Sequence, residues 1–138
     1  DKRARLFVAD SELPLPQYRE SEKKYPLVLI SPATSHTINS MFADTDPPRV
    51  AISMHPQDAE HRKLSNAQRV IVRNDVASIE IDLVIDETMR PGVCFMPKGL
   101  WLRATQTGLT SNAFAPDELN DLASGACFND ARVEVTVA

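Results

Sequence analysis

Three histidines, two cysteines and two runs of hydroxyl and amide side chains are the groups in this 138-residue chain that could carry chemistry. His36, His55 and His61 stand at no i,i+3 or i,i+4 spacing from one another, and no Cys/His cluster has zinc spacing. Each reads as a surface or hydrogen-bonded histidine, and no metal site is expected. A serine nucleophile on a strained, glycine-flanked turn would need a GxSxG, which does not occur. Gly92, Gly99, Gly108 and Gly125 are isolated from one another, so no glycine-rich loop can cradle a phosphate. There is no Gly-Ser dipeptide from which a self-processing enzyme could make a pyruvoyl group. The residues offer no catalytic constellation.

Binding is a different matter. Ser31, Thr34, Ser35, His36, Thr37, Asn39 and Ser40 crowd hydrogen-bonding side chains into the ten positions after the apolar run Leu27–Ile30. A polar loop launched from the end of a rigid strand is where ligands are commonly held. The same residue types also cap and turn the start of a short helix, and both readings stand. A second polar group, Gln106-Thr107 and Thr110-Ser111-Asn112, has the same two readings, with plain loop ahead of ligand site.

The elements that must position these loops are short. Leu27–Ile30 reads as a strand buried on both faces. Val50–Met54, Arg69–Arg73 and Val93–Met96 are further short strands. The clearest period in the chain is Ile79, Ile81, Leu83 and Ile85 alternating with Ser78, Glu80, Asp82, Val84 and Asp86, a strand with one dry face. Val133, Val135 and Val137 alternate likewise in a closing strand. A short helix should start at Pro56, with Asp58 in its first turn. Pro116–Ala123 should add one or two helical turns. Asn74-Asp75 and Pro91-Gly92 supply turn chemistry, and Asp44–Pro48 must be loop. Arg5–Ala9 could be a strand within a polar lead-in arm over residues 1–24. Six or seven short strands with long connections point to a barrel or sandwich, not to helix–sheet alternation.

Composition narrows the class. At 43% hydrophobic and 25% charged, with a net charge of −4, the chain reads as a single soluble globular domain and a poor candidate for general nucleic-acid binding, which needs a basic face. Its longest aliphatic run is far too short to insert in a membrane, and its first residues lack the form of a signal peptide. Opening on Asp1 rather than Met is what a piece cut from a longer chain would show. Ala104–Ala131 has no Lys or Arg and reads as a solvated acidic stretch. Cys94 sits in an apolar run as a small hydrophobe. Two thiols and no CxxC suggest a reducing compartment or no redox role, and the cytoplasm is expected ahead of the periplasm.

Taken in order, "YPLVLISPATSHTINSMF" (25–42), "PRVAISMHPQDAEHRKL" (48–64), "RVIVRNDVASIEIDLVID" (69–86), "MRPGVCFMPKGLW" (89–101) and "SNAFAPDELNDLASGACFNDARVEV" (111–135) resemble a known domain. It is the C-terminal domain of molybdopterin-dependent oxidoreductases, the superfamily of formate dehydrogenases, nitrate reductases and dimethyl-sulfoxide-type reductases. Order, spacing and coverage of residues 25–138 carry the resemblance together. The Lys98–Trp101 segment looks closer to formate-dehydrogenase-like or uncharacterised relatives.

The resemblance implies a mainly β fold, a double-psi β-barrel with a few short helices. It implies a domain that closes over molybdopterin guanine dinucleotide bearing molybdenum or tungsten, supplied jointly with other domains of the same oxidoreductase chain. Ser31, Thr34, Ser35, His36 and Asn39 would face the cofactor, and Asn112 matches an asparagine that hydrogen-bonds the pterin. Phe128 and Asn129 match a contact position before the last strand, and Lys98 suits a phosphate. The pattern departs from the family at Asn66-Ala67-Gln68, where a glycine turn is expected and Asn66 would have to turn left-handed. It departs again at Asn74–Ala77, which lacks an Arg-Gly hairpin, and at Asn129, where nitrate reductases often carry lysine. The competing expectation is a free-standing double-psi barrel used for protein interaction or substrate recognition.

Overall fold

Alternating side chains decide the wall of this molecule. In β4 (Ser78–Ile85), Ile79, Ile81 and Leu83 turn inward and are buried, while Ser78 and Glu80 face water. The same period buries Leu27 and Leu29 of β1 (Leu27–Ile30), Val70 and Val72 of β3 (Arg69–Arg73), and Val133 and Val135 of β6 (Arg132–Val137). Ile52 and Met54 of β2 (Ala51–Met54) and Cys94 of β5 (Val93–Phe95) complete the interior. These elements come from a computed structural model that describes residues 20, 22–35, 39–41, 50–120 and 124–138. The expected strand at Arg5–Ala9 and loop at Asp44–Pro48 lie outside the described residues.

The strands close into a six-stranded barrel in the order β1-β5-β2-β4-β3-β6. Two parallel pairs are embedded in it, with Val28 opposite Val93 between β1 and β5, and Ile52 opposite Leu83 between β2 and β4. The other four pairings are antiparallel. This is the expected double-psi β-barrel. Closure leaves no free sheet edge, and the wall shows a strong stagger. Leu27 at the start of β1 lies opposite Val133, next to Glu134, which pairs with Arg73 at the end of β3.

Strand directions define two ends. At one end gather the exits of β1, β5 and β3 and the entries of β2, β4 and β6. Met96 and Phe114, both fully buried, join the core there. At the other end α1 (Pro56–His61) buries Ala59, with Leu64 beyond it. The helix starts as the sequence indicates, Pro56 in its first turn, and His55 Nδ1 caps it by accepting from Gln57 N at 3.1 Å. Asp58 ties it to the wall, accepting from Gly92 N at 2.7 Å, while Arg62 reaches Glu134 at 3.0 Å.

Two expectations are corrected. Asn66 does not turn left-handed. Ala67 does, at φ 62°, and Asn66 Oδ1 instead accepts from Ile85 N at 2.9 Å, so the side chain does useful bonding and the backbone strain passes to its neighbour. No helix starts at Pro116. Leu119 forms an antiparallel bridge with Ala126, and Asn120 N donates to Gly125 O at 2.9 Å, so the backbone groups a helix would have used find partners across a small loop. Residues 121–123 of that expected helix lie outside the described residues. The helical turns appear elsewhere, as short 3₁₀ helices at Leu102–Ala104 and Ser111–Phe114.

Candidate functional site

The parallel pairing of β1 with β5 sends two segments out of the barrel side by side. Met96 N donates to Ile30 O at 3.1 Å, the last rung before the chains leave the wall. One continues as Ser31–Ser35, the other as Pro97–Trp101. Ser31 is buried, Thr34 is half-buried and engaged with neighbours, and Ser35 is exposed. His36 lies outside the described residues.

The two segments meet again further on. Gly99, at φ 81°, lies against the backbone of Asn39, itself left-handed at φ 52°. Only a residue without a β-carbon fits there. Two positions after Gly99, the Trp101 indole donates to Ser40 O at 2.9 Å. The Arg103 guanidinium covers the Trp101 ring, 4.0 Å from its centroid. Asn39 is thus fixed at the mouth of the barrel by the very segment that carries Lys98.

Lys98 extends over Phe128, its ammonium 5.8 Å from the ring centroid. Phe128 and Asn129 form the exposed turn that enters β6 through Ala131, whose carbonyl accepts from Leu29 N at 2.8 Å. The 3₁₀ helix Ser111–Phe114 is tied to the same end of the barrel. Buried Ser111 directs its hydroxyl to Pro97 O at 3.5 Å, and Phe114 O accepts from Asn74 Nδ2 at 3.0 Å. Between these two attachments Asn112 is exposed.

All the described site residues expected from the sequence therefore sit at one end of the barrel: Ser31, Thr34, Ser35, Asn39, Lys98, Asn112, Phe128 and Asn129. Direct contacts link Lys98 to Phe128 and join the segment of Asn39 to that of Lys98. Hydroxyl and amide side chains dominate, with one ammonium, so this end can read a flat heterocycle's donors and acceptors and offset a negative group. Among the described residues no cluster of His, Cys, Asp or Glu could hold a metal ion. The buried Cys94 thiol lies inside the wall, where loss of water pushes its pKa up to about 12. It is a packing group.

Sequence reasoning overlooked Gly99, Trp101, Arg103 and Asn74 as parts of this site. A lone glycine just past a strand signals close backbone approach, so Gly99 was findable. The Asn74 tether joins residues 40 positions apart in sequence and left no local signal.

Comparison with known proteins agrees with this fold. Residues 27–132 match the family model of the molydopterin dinucleotide binding domain. The probable oxidoreductase YoaE of Bacillus subtilis (strain 168) is 25% identical over 130 residues, covering 88% of this chain and 19% of the relative. Among solved structures, acetylene hydratase from Pelobacter acetylenicus is similar in fold, with a TM-score of 0.69 at 18% identity, over 91% of this chain and 21% of that one. This chain spans about a fifth of each of these two proteins. No helix among the described residues is long and apolar enough to cross a membrane. The family match runs from the first residue of β1 to the first of β6 and takes in the described loops at the polar end: this chain belongs to the molydopterin dinucleotide binding domain family.

Proposed function

We propose that this domain is part of a longer molybdopterin-dependent oxidoreductase, where it closes over a bis(pterin guanine dinucleotide) cofactor of molybdenum or tungsten held jointly with other domains of the same chain. The observation that carries the reading is the gathering of Ser31, Asn39, Lys98, Asn112 and Phe128 at one end of a barrel whose other end is tied by Asp58, Arg62 and Glu134. The donor set suits the group. A pterin edge alternates donors and acceptors that the amides of Asn112 and Asn129 and the hydroxyls of Thr34 and Ser35 can match. His36 joins them on sequence alone. Lys98 would exchange its aromatic face for a phosphate oxygen. When bound, the cofactor supplies the redox chemistry. The residues of this chain orient it and keep water away, and the domain alone turns nothing over. We place the parent protein in the cytoplasm.

The test is pterin and metal analysis of the full-length chain purified from its source. Asn112→Ala and Lys98→Ala should each lower pterin content several-fold relative to the unaltered protein. A full-length chain with neither pterin nor molybdenum nor tungsten would overturn the proposal.

A further inference from the structure

We infer that Asn74 is a positioning residue for Asn112, acting through the backbone of the 3₁₀ helix Ser111–Phe114. The inference rests on the reading of Asn112 as a pterin contact. Asn74 uses both ends of its amide. Its Oδ1 accepts from Val76 N at 2.9 Å and Ala77 N at 3.0 Å, which shapes the turn between β3 and β4. Its Nδ2 donates to Phe114 O at 3.0 Å. The turn that holds it is anchored from outside, since Asp75 accepts from Lys24 Nζ at 2.6 Å and from Tyr25 Oη at 2.9 Å.

A four-residue 3₁₀ helix has weak internal bonding and needs outside support to hold one orientation. This one is fastened at both ends. Ser111 reaches Pro97 O beyond β5, and Phe114 O receives Asn74 beyond β3. Exposed Asn112 stands between the two fastenings, so its direction is set by two strand ends rather than by its own loop. Cutting the Asn74 bond frees one end and lets Asn112 turn.

Asn74→Asp separates the two duties of the residue, because a carboxylate keeps the acceptor for Val76 and Ala77 but cannot donate to Phe114 O. The experiment compares Asn74→Asp, Asn112→Ala and the double variant in the full-length chain. Pterin content is read after oxidative release, and hydrogen exchange is followed in the cofactor-free protein. Asn74→Asp should speed exchange at Ala113 and Ala115 about tenfold, leave the β4 and β6 amides unchanged, and lower pterin content as far as Asn112→Ala does. The double variant should fall no lower than the worse single variant. Wild-type pterin content in Asn74→Asp beside a loss in Asn112→Ala would overturn the inference and leave the functional reading intact. Additive losses in the double variant would also overturn it, by showing a separate structural role. Full pterin content in Asn112→Ala would overturn the functional reading, and the inference with it.

Discussion

A β-carbon placed on Gly99 would fall inside the Asn39 carbonyl group, so the two segments that leave the barrel side by side are packed backbone to backbone. The neighbour is main chain and has no flexible end to move aside. Gly99 also has φ 81°, which an L side chain tolerates poorly.

Gly99→Ala should therefore cost about 2–4 kcal/mol or push Asn39 and Ser40 away from the barrel. Trp101, the single tryptophan, reports which occurs, because its indole donates to Ser40 O. A urea midpoint lowered in proportion, with a changed tryptophan emission maximum, is the expected pair of results. A substituted protein with the original midpoint and emission would show that the close approach does not exist in solution.

Residues 24 and 25 should come off the barrel in acid. Hydrogen bonds from Lys24, then from Tyr25, hold the Asp75 carboxyl below its ordinary 3.8. The folded-state value is the lower one, so the contribution is fully present above pH 3.8 and is lost as pH falls through the folded value. Tyr25 ring resonances followed by NMR should move in that acid window. Asp75→Asn should abolish the movement, and its persistence in that variant would assign it to another group.

The two thiols should differ sharply toward a disulfide reagent. Cys94 is fully buried with its pKa pushed up to about 12, whereas Cys127 is partly exposed, and the two are not bonded to each other. At pH 8 one thiol per chain should react in the native protein, and the second only after denaturant is added. Rapid native reaction of both would mean that the β5 wall opens readily.

The barrel was legible because its strands alternate cleanly. Ile79, Ile81 and Leu83 could face only one way, and the strand from Leu27 to Ile30 matched its expected span. The polar end was legible as composition, since hydroxyls and amides follow a strand directly. Its assembly was not. The Gly99–Asn39 approach, the Lys98–Phe128 stack and the Asn74 tether join residues far apart in sequence, and no local pattern records such contacts. Pro116 misled for the opposite reason. A local helix signal was outweighed by the bridge between Leu119 and Ala126.

The order of strands around the wall has a consequence for synthesis. Among the described strands only β3 and β4 are neighbours both in sequence and in the sheet. β1 is flanked by β5 and β6, and β6 alone fills the gap between β1 and β3. A nascent chain can form the β3–β4 hairpin early, yet the barrel carries two unpaired edges until β6 leaves the ribosome. Such distant pairing belongs to the slow-folding class, and the incomplete barrel is the form most prone to stick to its own kind.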